Sequence, residues 1–377
     1  MIALVFFILL LPYLIQIIGL NSNLKNLSFS ELQHELKPLN KFSIIIPVVD
    51  EEFEIEMLLT SLIQQFYPKD YYEILLYFDG NLTLKSTIEN KFKENENITF
   101  LGGESQDGKK KALQKLISNV KYNNIIQLDA DAAIGKEFIK GYDQVFRTQL
   151  PDCIIGPVKP NIEASDIFML KFFALDFLSL QSVQIGYCLT NKANMANGTN
   201  IFFTKSAFEE VESEIEKITS PSGDDTFLVQ AFLQKSKKIV FGSLEEIIVL
   251  TPLPNSWENF LEQRIRWGSK TKNYLTQSLK ILAITTTLAS LSLLMAFLFT
   301  LFGKLLLAEL VILFFAKALI DYIFLKKIIN LFQLNFLKSN FIASTLIYPF
   351  YLVFAAYKAN FGSYQWKNIS YSTNKKS

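Results

Sequence analysis

In the stretch IIQLDADAAIG, residues 125–135, an apolar run ends in Asp129 and Asp131 with one alanine between them. Side chains repeat every second residue along an extended strand, so both carboxylates leave the same face near the strand's end. Carboxylates about 6 Å apart repel by roughly 3 kcal/mol at an effective dielectric near 20, so the pair requires a cation or a hydrogen-bond network. Hard divalent cations, Mg2+ or Mn2+, take oxygen ligands and keep coordination places open for phosphate. Read from the residues alone, the alternative is a surface turn in which Asp131 caps a following helix.

Three further stretches carry chemistry-bearing residues. GESQDGKK, residues 103–110, follows a strand pattern and opens a helix, close to the phosphate-cradling pattern GxxxxGK[ST]. It fails at Lys110, which stands where a Ser or Thr hydroxyl must hold Mg2+, since an ammonium cannot ligate a cation. The lysines, Lys111 among them, remain available to a diphosphate. In SGDDTFLVQAF, residues 222–232, Asp224 and Asp225 open an apolar helix. One carboxylate there can cap the helix, and the other can act as a general base towards an attacking hydroxyl. FLEQRIRWGSK puts Gln263, Arg266 and Trp267 on one face of a helix. A guanidinium suits a diphosphate and an indole suits a sugar ring, although basic residues at this place also mark a membrane boundary.

Short apolar runs alternating with helical patterns from Phe42 onward supply the frame for these residues. FSIIIPV, EILLYFDG, NITFLGG and NIIQLDAD read as strands, separated by helices in EIEMLLTSLIQQF, LKSTIENKFKEN and KKALQKLISNV. That order predicts an open, mainly parallel sheet with helices on both faces, whose functional groups gather at the carboxyl ends of the strands. Asp50, Asp79 and Asp129 all fall there.

Half of the 377 residues are hydrophobic and only 19% are charged, which is too apolar for an ordinary soluble enzyme. Residues 1–20 carry no charge and match a bilayer-crossing helix; without a basic start or a small-residue cleavage site they read as a retained anchor. Residues 281–303 and 305–325 read as a membrane hairpin, and 341–361 as a third candidate span. Within the second of these, Lys317 and Asp321 are spaced to pair. The Phe-rich stretch 166–183, interrupted by Lys171 and Asp176, reads as a buried or interfacial helix. Lys326, Lys327 and Lys338 put their loop on the cytoplasmic side, whereas Lys367, Lys375 and Lys376 oppose a full crossing by 341–361. A formal net charge of +1 provides no basic field for nucleic acid. Cys153 and Cys188 lack metal or disulfide spacing and read as reduced core residues, and the lone His34 excludes histidine catalysis.

Taken in order, these motifs resemble the family 2 glycosyltransferases of GT-A fold, the membrane-embedded group that includes cellulose, chitin and hyaluronan synthases and ceramide glucosyltransferase. The likeness covers residues 42–272. IIIPVVDEE is similar to the family's first-strand end, with Asp50 in place of the usual Asn, and Pro47, Asp50 and Glu52 are then donor-side residues. The resemblance implies that Asp79 contacts the nucleotide base and that Asp129 and Asp131 are the DxD pair holding Mg2+ or Mn2+ with the diphosphate. It further implies that Asp225 is the base, that Arg266 in QRIRW lies near the diphosphate, and that Asp224, Asn200, Gln263 and Trp267 face the acceptor. The expected organisation is an N-terminal anchor (1–24), a linker (25–41), a Rossmann-like α/β GT-A domain (42–275) and a membrane region (276–377) with two or three further spans. The implied protein is an integral protein of the cell membrane with a cytoplasmic catalytic domain. It performs metal-dependent, inverting transfer from a UDP- or GDP-sugar to a lipid, lipid-linked or glycan acceptor. A processive polysaccharide synthase and an inactive nucleotide-sugar-binding scaffold are the alternatives. Too few spans are present for a transporter built on paired repeats.

Overall fold

An uncharged run of 22 residues, Ile2–Asn23, forms helix α1. Strand β1 (Phe42–Val48), helix α2 (Glu52–Ile63), β2 (Tyr72–Asp79), α3 (Leu82–Phe92), β3 (Ile98–Gly103), α4 (Lys109–Asn119) and β4 (Asn124–Leu128) then alternate as the apolar periodicity dictates. They are followed by α5 (Phe138–Gln149), β5 (Cys153–Ile155), β6 (Val158–Pro160) and α6 (Phe168–Cys188), then by β7 (Asn200–Thr204), α7 (Lys205–Glu209), α8 (Glu212–Glu216) and α9 (Asp224–Gln234). The chain continues through β8 (Ile239–Phe241), β9 (Val249–Thr251), α10 (Trp257–Ser269), α11 (Gln277–Leu301), α12 (Leu307–Leu331), α13 (Phe341–Phe361), β10 (Ser363–Trp366) and β11 (Ile369–Ser372). The structure is a computed structural model describing residues 2–33, 37, 39–104, 108–218, 223–366 and 369–372. His34, Ser222 and the tail lysines Lys367, Lys375 and Lys376 lie outside the described residues.

Two compact units share the chain. The first, residues 28–161 and 188–252, is built on a seven-stranded sheet in the order β3-β2-β1-β4-β7-β5-β8. Strands β3, β2, β1 and β4 are parallel, so their carboxyl ends share one edge. Strand β7 enters antiparallel to β4, with Leu128 opposite Asn200, and so brings its amino end to that edge. The sequence periodicity did not mark β7 as a strand, because NIFFT is buried throughout and shows no alternation. Pro47 is tolerated in the central strand β1 because pairing with β4 stops at Ile45 opposite Gln127, which leaves no ladder partner waiting for its missing N–H on that side. Ile44, Ile46, Leu76, Phe78, Ile126 and Phe202 are fully buried between the layers.

The second unit comprises residues 1–27, 162–187 and 253–377. The compact units thus divide the chain differently from a catalytic region at 42–275 and a membrane region from 276: most of α6, and all of α10, group with the apolar helices. The reason is a shared aromatic core, in which Phe172 and Phe173 of α6, Phe260 of α10 and Tyr351 of α13 are buried together. Among the described residues four helices are long and apolar enough to cross a membrane: α1, α11, the helix of residues 335–361 that contains α13, and also α6, expected to be buried or interfacial, while the span expected at 305–325 is not one of them. The charges of α12 set it apart from these four. Its Lys317 ammonium is paired with Asp321, which also accepts from the Tyr13 hydroxyl at 2.6 Å, so the pairing expected from their spacing is made. Gly303, with φ +66°, ends α11 in the left-handed conformation that favours glycine and starts the turn into α12.

Candidate active site

Because the parallel strands end together, the acidic residues that close them are brought to one edge of the first unit. Asp79, at the end of β2, is 4% exposed and accepts the Gly108 N–H on Oδ2 at 2.9 Å. That bond pins the residue preceding α4, whose φ of +86° only glycine adopts without strain. The first residue of α4, Lys109, carries its ammonium to Asp129 Oδ1, and Thr199 Oγ1 donates to Asp129 Oδ2 at 2.8 Å. Burial pulls the Lys109 ammonium down, but Asp129 and then Asp225 and Asp224 outweigh it and hold it above the ordinary lysine range. The ammonium is ion-paired with Asp129, just past β4, and lies within the electrostatic reach of the two aspartates that open α9.

Asp131 is pushed up to about 6, first by burial, then by the negative charges of Asp129 and Glu51, against the opposing pull of Lys109. The pair is short of positive charge. Asp131 does not cap a helix, since the next one begins only at Phe138. Two half-buried hard carboxylates are a donor set suited to Mg2+ or Mn2+, which is commonly held by one or two carboxylates plus substrate phosphates. Among the described residues no group of three or more His, Cys, Asp or Glu side chains is close enough to hold an ion. Asp129 and Asp131 are the residues that would hold such a cation, with a diphosphate supplying further oxygen ligands.

Asp225 is oriented by backbone. Its Oδ2 accepts from Gly198 N–H and its Oδ1 from Thr226 N–H, each at 2.7 Å. Gly198 is held in turn by Gln127 of β4, which donates to its carbonyl at 2.9 Å. Asp224 is the first helical residue of α9; Gly223, at φ +104°, stands at the cap, so neither aspartate serves as the cap residue. Both carboxylates still benefit from the positive end of the helix.

Several residues singled out in the sequence stand elsewhere. Asn200 is fully buried and commits its side chain to the fold: it donates to Pro157 O at 2.9 Å and Ile247 O at 2.8 Å, and accepts from Tyr142 Oη at 2.6 Å. It braces the sheet instead of facing an acceptor. Glu52 is exposed at the start of α2, whereas Glu51 accepts the Val49 and Asp50 N–H groups on Oε2 and lies near enough to Asp131 to raise it. Asp50 is exposed and Pro47 half-buried just before it. Of the three consecutive lysines, Lys109 meets Asp129, Lys110 donates to the carbonyls of Ile215 and Glu216 at the end of α8 and of Ile218 just after it, and Lys111 is exposed. Successive helical residues point about 100° apart, so only one of three can face the site. The Gly-Lys junction at the start of α4 was the available signal for Lys109; nothing in the sequence marked Gly198, Thr199 or Gln127 as a supporting set. Gln263, Arg266 and Trp267 are half-buried on α10, in the second unit.

Residues 43–212 match the family model described as glycosyl transferase family 2. The chain is 25% identical over 244 residues to a protein of Bacillus subtilis (strain 168) named "Probable glycosyltransferase YdaM", covering 63% of this chain and 56% of that one. It is 24% identical over 236 residues to the poly-beta-1,6-N-acetyl-D-glucosamine synthase of Staphylococcus aureus (strain COL), covering 61% and 54%. The chain therefore matches about half the length of these curated relatives. Among solved structures, the mannosyltransferase PcManGT from Pyrobaculum calidifontis in complex with GDP-Man and Mn2+ superposes with a TM-score of 0.62 at 15% identity, over 95% of this chain and 97% of that one. At that identity the likeness is one of fold.

Proposed function

We propose that the protein is an inverting, metal-dependent glycosyltransferase, a reading supported by the match of residues 43–212 to the glycosyl transferase family 2 model and by the fold likeness to a mannosyltransferase. It moves a sugar from a nucleoside diphosphate donor to a hydroxyl oxygen of a lipid, lipid-linked or glycan acceptor. The observation that carries the reading is that one turn holds both motifs: Gly198 N–H binds Asp225 of the GDD motif, and the next residue, Thr199, donates to Asp129 of the DAD pair, which Lys109 also meets. It joins a leaving-group site and a candidate base at one strand edge.

In this reading the acceptor oxygen attacks the anomeric carbon while the bond to the diphosphate breaks, and the configuration inverts. Asp225 takes the proton from the acceptor hydroxyl on a lone pair that the Gly198 and Thr226 N–H bonds leave open. Lys109 supplies a fixed positive charge beside the departing diphosphate. When bound at Asp129 and Asp131, a divalent cation supplies Lewis-acid charge for the same leaving group. The proposal keeps Asp79, Asp50 and Pro47 on the donor side, and Gln263, Arg266 and Trp267 in the diphosphate and acceptor roles that the family resemblance implies. It orients the first unit to the cytoplasm, on the basis of the lysine cluster Lys326, Lys327 and Lys338.

The test is a donor screen with the full-length protein in native lipid extract. UDP- and GDP-sugars are supplied one at a time and release of nucleoside diphosphate is measured. The expected result is turnover of one donor class that needs both divalent cation and lipid extract; tight nucleotide-sugar binding with no release from any donor would make the protein an inactive scaffold. The relatives named as a polysaccharide synthase favour a second reading, repeated transfer onto one growing chain. Product length separates the two: single addition yields one discrete product, repeated addition a ladder.

The turn that orients Asp225 provides a further check. A Cβ at Gly198 would lie 3.1 Å from Gln127 Nε2 and 3.2 Å from Asp225 Oδ2, so Gly198→Ala must displace one of them. Turnover is expected to fall by roughly ten- to a hundredfold, with donor affinity unchanged by calorimetry.

A further inference from the structure

Between Gln263 and Arg266 of QRIRW stands an arginine to which the reading above gives no task. Arg264 is 7% exposed, and its Nε donates to Asp176 of α6, itself 5% exposed. Asp176 also accepts from the Tyr351 hydroxyl of α13. The guanidinium lies 4.5 Å from the Phe260 ring centroid and 4.3 Å from that of Trp267, and its Nη1 donates to Gln263 Oε1. Its Nη2 is buried and has no hydrogen-bond partner among the described residues.

An ion pair buried among aromatic rings is weak evidence for stability, because the cost of removing both charges from water offsets their attraction. A packed apolar pair would hold α6, α10 and α13 together at least as well. What an apolar pair cannot do is grip Gln263 and Trp267 at once. A guanidinium only donates, so the Gln263 atom facing it must be the carbonyl oxygen. Gln263 is thereby turned so that its amide NH2, with two donors, is directed away from the guanidinium and towards a ligand, while its oxygen is engaged by Arg264. Trp267 is held flat by stacking on the same guanidinium.

We propose that the buried Asp176–Arg264 pair is a positioning device: it fixes Gln263 as a hydrogen-bond donor and Trp267 as a stacking face for an oxygen-rich acceptor, a hydroxyl- or phosphate-bearing headgroup. The inference rests on the acceptor roles proposed for Gln263 and Trp267 and extends them to Asp176, Arg264 and Tyr351, which act only through those two.

The test replaces the pair by apolar residues, Asp176→Leu with Arg264→Met, in the full-length protein in lipid nanodiscs. Three quantities are read: the Trp267 contribution to tryptophan emission, taken as the difference between each protein and its Trp267→Phe counterpart; donor affinity by calorimetry; and KM for acceptor lipid. The double variant keeps both charges out of the core and should fold. Its Trp267 emission shifts and its acceptor KM rises by about tenfold, while donor affinity and kcat at saturating acceptor hold. Tyr351→Phe removes one hydroxyl with little change in packing and is expected to raise acceptor KM by about threefold, which keeps the test decisive should the double variant misfold. An unchanged Trp267 signal, or a double variant with unaltered acceptor KM, overturns the positioning role. Native protein that binds donor yet transfers to no acceptor, while Trp267 emission still responds to the substitutions, sinks the transferase reading and leaves the geometry standing.

Discussion

Asp225→Asn lowers sugar transfer by roughly two to four orders of magnitude while nucleotide-sugar binding is retained. The substitution removes the group that would receive the acceptor proton and leaves volume almost unchanged. It has a second, smaller effect that can be separated. Both carboxylate oxygens accept backbone N–H bonds, from Gly198 and Thr226, and a carboxamide offers only one oxygen, so one N–H loses its acceptor. A loss of stability of about 1–3 kcal/mol is therefore expected alongside the loss of rate. Chemical denaturation reads the first, single-turnover transfer the second, and donor calorimetry shows whether the site survives. Turnover close to that of the unaltered protein would remove Asp225 from the base role.

Chelation of divalent cations, or Asp131→Asn in their presence, abolishes metal-dependent donor binding and reduces turnover by at least roughly a hundredfold. Stability should not follow activity downwards. Asp131 is repelled by Asp129 and Glu51, so neutralising it relieves a strain that the folded protein otherwise tolerates. In chelator, Asp131→Asn is expected to melt at or above the temperature of the unaltered protein, the opposite sign to its effect on function. A binding isotherm for Mn2+ in the presence of nucleotide diphosphate checks the first half and a thermal melt the second. Undiminished Mn2+ binding by the variant would dissociate Asp131 from the metal.

The α/β class, the strand-end aspartates and the long apolar helices α1, α11 and α13 were legible because each depends on short-range pattern, whereas the span expected at 305–325 falls on the charged α12 and is not among the candidates, and α6, expected to be buried or interfacial, is. Strand alternation with helices predicts a parallel sheet, and the absence of charge over about 20 residues predicts a span, without knowing what either packs against. Position within a motif was less secure. Glu51 and Glu52 are neighbours in sequence, yet one folds back onto the Val49 and Asp50 amides and the other points to solvent. Lys109, Lys110 and Lys111 part in the same way, because consecutive helical residues diverge by about 100° and a motif does not specify which direction holds the ligand.

The amino-acid sequence by itself determined the kinds of chemistry present and the edge at which they gather: carboxylates closing parallel strands, a base candidate at a helix start, and apolar helices on either side. Tertiary structure alone decided which groups are tied together and which merely support the fold. Adjacent residues Gly198 and Thr199 tie Asp225 to Asp129, Asn200 spends its side-chain hydrogen bonds inside the fold, and α6 and α10 join the apolar helices through a common aromatic core. The physical reason is that strand order, β3-β2-β1-β4-β7-β5-β8, is set by long-range burial and pairing, which leave no local periodicity to read.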